Sequence, residues 1–219
     1  TLFGDEVKLT KYLIKNLRKE DVFYDIGANY GFYTLLAQEF IVSGEIHSFE
    51  PHPKIFEILK RNAQIDEFKN TYLNNLAVAH ITGKLNFYDT LKFGHSGGSG
   101  IFLKHPLRNY ELIEVESIKL DDYIEKHRPP TLMKIDVEGS EILTLKGSIQ
   151  LLKFFPVIIM EFENNNLHKE AANILFENSY KMHSLNKNGD LKLIDKKTLK
   201  RIFNNEIKPD LNYVFKKIE

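Results

Sequence analysis

The chain has 219 residues, 42% of them apolar and 12% aromatic, which is enough for one sizeable α/β core rather than two small ones. Thirty basic residues balance thirty acidic ones, so no global field gathers polyanions, and this argues mildly against a dedicated nucleic-acid enzyme. The absence of cysteine excludes disulfides, thiolate-bound zinc and methyl transfer through a cysteine nucleophile.

Val7, Leu9, Tyr12, Leu13 and Leu17 recur at near-helical spacing and predict a leading helix within residues 1–20. The apolar run Val22-Phe23-Tyr24 then enters Asp25-Ile-Gly-Ala-Asn-Tyr-Gly-Phe-Tyr-Thr34, which reads as a strand over 22–25, a glycine turn and a helix over 31–41. Such a strand–turn–helix is where α/β proteins hold nucleotides. A dinucleotide fingerprint has a second glycine two positions after the first, and here Asn29 stands in that place. Side chains flanking Gly27, Asp25 and Asn29, suit a ligand carrying an amine and a carboxylate, such as S-adenosylmethionine (SAM). The plain alternative is a tight connection with no ligand. A second strand over 45–49 ends in Glu50, roughly 20 residues past the turn, where an acid accepts ribose hydroxyls. Ile55, Phe56, Leu59 and Ala63 mark an amphipathic helix over 53–66.

Thr71 to Ala79 and Lys84 to Asp89 are two β-like runs joined by Thr82-Gly83, and they are expected to pair as a hairpin. Residues 92–104 form a Gly/Ser-rich loop containing His95, of the kind that closes over an acceptor as a lid. A strand near 112–118 and a helix over 120–127 follow, closed by Pro129-Pro130. Alternation resumes with a buried strand over 132–137, a helix over 139–153 and the apolar strand Val157 to Glu163. Leu167, Ala171, Ile174 and Leu175 mark another helix, and Asn188-Gly189 signals a hairpin before the closing Tyr213-Val214-Phe215. Five βα alternations predict a mostly parallel sheet between helix layers, with antiparallel strands at the end. No repeat or linker divides residues 1–219, so one domain is expected.

The chain resembles the FkbM family of SAM-dependent methyltransferases over roughly residues 20 to 165. The motifs that carry the resemblance are Asp25 to Thr34, Phe49-Glu50-Pro51, Leu120-Asp121-Asp122-Tyr123, and Lys134-Ile-Asp-Val-Glu-Gly-Ser-Glu141 with Leu145-Lys146-Gly147. The first two are shared with many class I methyltransferases, and the Lys134–Glu141 segment is the specific one. The resemblance implies a Rossmann-like three-layer sandwich, with a seven-stranded sheet and an antiparallel C-terminal hairpin. It also implies O-methylation, often of sugars on glycans or of hydroxyls on natural products. Carried onto this chain, it sets Asp25, Gly27 and Asn29 along the methionine part of SAM, with Tyr30, Gly31 and Thr34 completing the motif. Glu50 then meets the ribose, Asn75 to Ala77 the adenine, and Asp136 the cofactor crevice.

Methyl transfer to a hydroxyl is an in-line displacement that needs alignment and the removal of one proton. Asp136, where a parallel strand reaches its carboxyl end, is the first choice as base or organiser, with Glu138 beside it and Lys134 on the same strand face. Glu138 and Glu141 also suit a helix start electrostatically, without any catalysis, and Asp136 suits a helix cap. His95 is a further base candidate whose plain alternative is a solvated loop histidine. Asp136, Glu161 and Asn164 form an oxygen set able to hold Mg²⁺. His52, between two prolines, is expected to shape the turn after Glu50, and Lys196 to Arg201 a solvated helix face.

The expected acceptor is a sugar or glycan hydroxyl. RNA ribose methylation stays open, because Lys134 and Asp136 match half of a lysine-rich tetrad, as do natural-product methylation and a non-catalytic SAM-binding scaffold. Asn29 counts against a NAD-dependent oxidoreductase. No run of about 18 apolar residues and no signal peptide is read, so a cytoplasmic protein without a membrane span is expected. The chain starts at Thr1 rather than methionine. It is therefore expected to be trimmed or cut from a longer polypeptide, and fused to, or working with, a glycosyltransferase.

Overall fold

A computed structural model describes residues 2–63, 69–93, 99–102 and 109–217. Helix α1 (Leu2–Asn16) leads into β1 (Val22–Ile26), α2 (Phe32–Gln38), β2 (Glu45–Phe49), α3 (Pro53–Asn62) and β3 (Thr71–Asn74). The chain then forms β4 (Ala77–Val78), β5 (Gly83–Asp89), β6 (Glu111–Ile118) and α4 (Leu120–Tyr123). It continues through β7 (Leu132–Ile135), α5 (Glu141–Lys146), β8 (Val157–Glu161) and α6 (Asn166–Glu177). It closes with β9 (Tyr180–Leu185), β10 (Leu191–Leu193), α7 (Lys196–Phe203) and β11 (Asn212–Lys217).

Among the described residues, eight strands make the central sheet, in the order β10-β9-β11-β8-β7-β1-β2-β3. The run from β8 to β3 is parallel, whereas β11 is antiparallel to both its neighbours and β10 to β9. The seven expected strands are present, and β10 adds an eighth at the edge by folding back on β9. Strand order reverses between β1 and β7, and such a switch point leaves a crevice beyond the carboxyl ends of the strands.

All five residues of β1 are buried, as a central parallel strand covered on both faces requires. Val22, Tyr24 and Ile26 point into a core with Ile142, Leu145, Ala171 and Leu175, from the α5–α6 side. Phe23 points into the opposite core with Leu9, Leu13, Tyr33 and Ala37, from α1 and α2. Asp25 shares the Phe23 face by strand alternation, which puts a carboxylate at the top of an otherwise apolar layer.

The expected hairpin between residues 71–79 and 84–89 does not form. β3 stays in the central sheet beside β2, while β5 pairs antiparallel with β6, and β4 parallel with β6, in a separate three-stranded sheet. The chain is pinned between β3 and β4 by two asparagines. Asn74 donates to the carbonyls of Ser48 and Tyr72, and Asn75 to those of Glu50 and Pro51. The expected helix over 139–153 also breaks, into α5 and a 3₁₀ turn at Leu151–Phe154. Gly147 ends α5 because its carbonyl takes the Asp121 N–H, while the Asp121 carboxylate accepts from the Gln150 and Leu151 N–H groups. A Cβ on Gly147 would sit 2.0 Å from the Ala79 carbonyl oxygen, so this crossing tolerates only glycine. The helix expected over 120–127 is limited to α4.

Candidate active site

A cavity of about 280 Å³ opens at the carboxyl ends of β1, β2 and β7. Its first wall is the glycine turn. Gly27 is left-handed (φ 79°), and a Cβ there would lie 1.9 Å from the Asp136 carbonyl oxygen, so the turns after β1 and β7 are packed back to back. The Gly27 and Ala28 N–H groups both donate to the Phe49 carbonyl. Asn29 is left-handed without being glycine (φ 51°), a conformation that costs on the order of 1 kcal/mol for most side chains and least for Asn.

Asp25 is fully buried, and Oδ2 accepts from Thr34 Oγ1 at 2.7 Å, a hydroxyl that also meets Ser48 Oγ at 2.7 Å. Burial pushes the Asp25 carboxyl above the usual carboxylate range, against the pull of the Lys134 charge and the Thr34 hydroxyl. Asp25 Oδ1 and Asn29 Oδ1 are buried acceptors with no hydrogen-bond donor among the described residues. Thr34 thus holds Asp25 from behind, while Tyr30 lines the cavity and Gly31 (φ 94°) starts α2.

Glu50 stands at the end of β2, nearly buried, with each carboxylate oxygen seated on a backbone donor. Oε2 accepts from Asn29 N at 2.9 Å and Oε1 from His52 N at 2.8 Å. Burial raises its pKa to about 7, although both hydrogen bonds favour the ionised form. His52 shapes this turn as expected. Its Nδ1 accepts from Lys54 N at 3.2 Å to cap α3, and its Nε2 lies 3.1 Å from Asp89 Oδ2, at ion-pair distance but outside hydrogen-bond geometry. Of the residues expected near an adenine, Ala77 lines the cavity together with Leu76 and Val78, whereas Asn75 braces the turn behind Glu50.

The second wall follows β7. Asp136 and Lys134 share a strand face, and Lys134 Nζ donates to Asp136 Oδ2 at 2.7 Å. The lysine side chain is 3% exposed and the aspartate 31%, so the pair is anchored inside and presents its carboxylate to the cavity. Burial pulls the Lys134 pKa down, but the charges of Asp136 and Asp25 more than offset it, and its pKa lies above the usual lysine value. Its ammonium also sits 4.7 Å from the centre of the Tyr33 ring, whose hydroxyl is tied to Glu6 of α1. Glu138 is left-handed (φ 53°) and precedes a left-handed Gly139 (φ 95°) at the cavity edge.

The remaining candidates scatter. His95 lies outside the described residues, as do 94–98 and 103–104 of the expected lid. Ser99 and Ile101, from the same stretch, line the cavity. Glu161 ends β8 opposite Asn212 of β11, and Asn164 gives its amide to the Ile202 carbonyl and to Asn205 Oδ1. Among the described residues no group of three or more His, Asp or Glu side chains could hold a metal, and an Mg²⁺ ion on Asp136, Glu161 and Asn164 gains no support. Lys196, Lys197, Lys200 and Arg201 are exposed on α7 around a buried Ile202, a solvated helix face as expected.

Sequence reasoning missed Tyr33, Phe32 and Phe87 as cavity residues, whereas Ser99 and Ile101 belong to the loop expected over the acceptor. The first two stand in the glycine motif itself. Phe87 comes from β5 of the small sheet, and no local pattern signals the strand bridge between Tyr88 and Gly100 that ties the loop to it.

The strand order, the switch-point cavity and the seated Glu50 define a class I SAM-dependent methyltransferase fold. Solved structures agree. Fibrillarin from Aeropyrum pernix, crystallised with S-adenosyl-L-methionine, superposes with a TM-score of 0.54 at 11% identity over 97% of this chain and 75% of that one. Precorrin-6y C5,15-methyltransferase from Geobacter metallireducens gives 0.52 at 13% identity over 96% of this chain and 85% of that one.

The profile of the methyltransferase FkbM domain matches residues 25–182, and the chain belongs to this family. It is similar to hexuronic acid methyltransferase AglP of Haloferax volcanii, with 23% identity over 78% of this chain and 68% of that protein. It is also similar to methyltransferase sdnD of Sordaria araneosa, with 24% identity over 62% of this chain and 63% of that protein. Among the described residues no helix is long and apolar enough to cross a membrane.

Proposed function

We propose that this chain holds SAM in the cavity and transfers its methyl group to a hydroxyl, that of a sugar in a glycan or glycoconjugate. The observation that carries the reading is the seat of Glu50. A carboxylate fixed by two backbone N–H groups at the end of the second parallel strand is suited to accept two neighbouring ribose hydroxyls.

The other residues fit the same cofactor. Ile55, Leu76, Ala77 and Val78 offer an apolar wall to a purine. Asp25 Oδ1 and Asn29 Oδ1, buried acceptors without donors, suit the neighbourhood of an ammonium group. Asn29 in place of a second glycine disfavours a pyrophosphate. When bound, SAM supplies an electrophilic methyl group on a sulfonium.

The chain's own residues supply alignment and proton handling. Asp136 accepts the hydroxyl proton or organises the group that does. Lys134 donates to Asp136 Oδ2 and so holds the carboxylate in place at the cavity. Phe32, Tyr33, Phe87 and Ile101 line the cavity and exclude water around the reacting atoms. Glu138 and His95 are the further base candidates.

A sugar acceptor is supported by the hexuronic acid methyltransferase relative, at 23% identity. A glycosyltransferase fused to this chain, or working with it, would supply such an acceptor, and the cysteine-free composition suits a cytoplasmic setting. The test is transfer of labelled methyl from SAM to a panel of sugars, nucleotide-sugars, glycans and RNA. Label on a sugar hydroxyl is expected. Label on RNA alone, or binding of SAM without transfer to any sugar, would overturn the acceptor assignment.

A further inference from the structure

We infer that Glu141 is a positioning residue that holds the turn Asp136–Gly139 in shape through a buried contact with His168 of α6. The turn contains two consecutive left-handed residues, Glu138 (φ 53°) and Gly139 (φ 95°), and only the second is a glycine. A non-glycine in that region persists only where its surroundings over-determine it. Glu141 provides the restraint. Its side chain is 1% exposed, and Oε1 accepts from both the Val137 and the Gly139 N–H groups, each at 3.2 Å, so one oxygen spans Glu138 from either side.

The other oxygen, Oε2, lies 3.0 Å from Nε2 of His168, which is fully buried; the approach is at ion-pair distance but off hydrogen-bond geometry. Nδ1 of His168 has no hydrogen-bond partner among the described residues, so the Glu141 carboxylate is a principal polar contact of that ring. The His168 backbone is itself fixed, since its N–H is capped by Asn165 Oδ1 at the start of α6. An acid at the first turn of α5 is favourable for the helix alone, but a helix start is served equally well by a solvated carboxylate. Full burial, with one oxygen on the turn and the other on a different helix, is not explained by that need. A buried carboxylate is tolerated when every oxygen is engaged, and here the engagement is with the turn.

The consequence reaches the cofactor wall. The Asp136 carbonyl oxygen packs so closely on Gly27 that a Cβ would come within 1.9 Å of it. Releasing the turn after β7 therefore shifts Asp136 and Glu138 and also loosens the support of the glycine turn that carries Asn29. Glu141 touches neither ligand nor cavity in this account; it acts through Val137 and Gly139.

The inference rests on the cavity being the SAM site, and the test separates the two claims. S-adenosylhomocysteine is titrated calorimetrically into wild type, Glu141→Ala, Glu141→Gln and His168→Gln, and amide exchange at Val137 and Gly139 is followed by NMR. Failure of wild type to bind rejects the site assignment itself. With wild-type binding in hand, Glu141→Ala should lose protection at both amides and bind about tenfold more weakly, the equivalent of about 1.4 kcal/mol. Ile26 and Ile135 amides in the neighbouring strands should stay protected.

Glu141→Gln keeps a carbonyl oxygen for the two N–H groups and should rescue both readouts to within about twofold. His168→Gln provides a folded alternative should Glu141→Ala not fold, and should give faster exchange at the same two amides. Unchanged exchange at Val137 and Gly139 in either disruptive variant, or unchanged affinity in folded Glu141→Ala, would overturn the inference.

Discussion

The two walls of the cavity are built on different principles. The β1–β2 wall is set by backbone: a glycine turn, two N–H groups on the Phe49 carbonyl, and two more on the Glu50 carboxylate. The β7 wall is set by side chains: Lys134 on Asp136 two residues along the strand, and two contacts from far off in sequence, Tyr33 against the ammonium and His168 against Glu141. Local backbone devices give a rigid, general binding edge, whereas long-range side-chain contacts leave the chemistry open to variation. Direct cofactor binding is therefore expected to depend on the first wall, which the second supports only through the packing of the Asp136 carbonyl on Gly27, and turnover on the second.

The largest expected effect is on the second wall. Asp136→Asn should lower methyl transfer by roughly 10²–10⁴-fold, the range for a positioned acid or base, while S-adenosylhomocysteine affinity stays within about twofold. Single-turnover rates and calorimetry on the same protein decide it, and near-normal turnover would move the base to Glu138 or His95.

Lys134→Met comes next and probes stability. It leaves the buried Asp25 and the half-buried Asp136 without their shared cation, and urea unfolding should show a loss of about 3–5 kcal/mol, the scale for breaking a buried pair from one side. A loss below about 1 kcal/mol would mean that the pair is solvated rather than structural.

A smaller effect follows from Glu50, whose pKa rises from the ordinary 4.5 to about 7 because it is buried. Between those values the folded protein binds more protons than the unfolded one, so the slope of stability against pH is negative there. Ligand-free protein should lose stability as pH rises from about 5 to about 7, with Asp25 adding in the same direction. S-adenosylhomocysteine binding should show the opposite trend, about tenfold weaker at pH 6 than at pH 8, because the neutral acid no longer offers two acceptor oxygens. Flat profiles in both experiments would remove Glu50 from the ribose site.

The first wall was largely legible in the sequence because its determinants are local. Asp25, Gly27, Asn29 and Glu50 sit in one strand–turn–helix and the next strand end, and the structure gathers them as their spacing suggests. Much of the second wall was not. Lys134 beside Asp136 followed from strand alternation, but the Glu141–His168 contact joins helices that no periodicity relates. The hairpin expected around Thr82-Gly83 was misplaced for the same reason: β5 found its partner in β6, beyond residues 92–104, and its own turn signal could not reveal that. Similarly, Gly147 looked like an ordinary helical residue until Asp121 claimed its carbonyl.

The most direct test of the central claim is calorimetric titration of S-adenosylhomocysteine and NAD into wild type and Glu50→Ala at pH 8. The account predicts one site for S-adenosylhomocysteine on wild type and no preference for NAD. It predicts a loss of about 1.5–3 kcal/mol in Glu50→Ala, the scale for a hydrogen bond to a charged group. Binding of NAD in preference, or an affinity for S-adenosylhomocysteine that Glu50→Ala leaves unchanged, would contradict it.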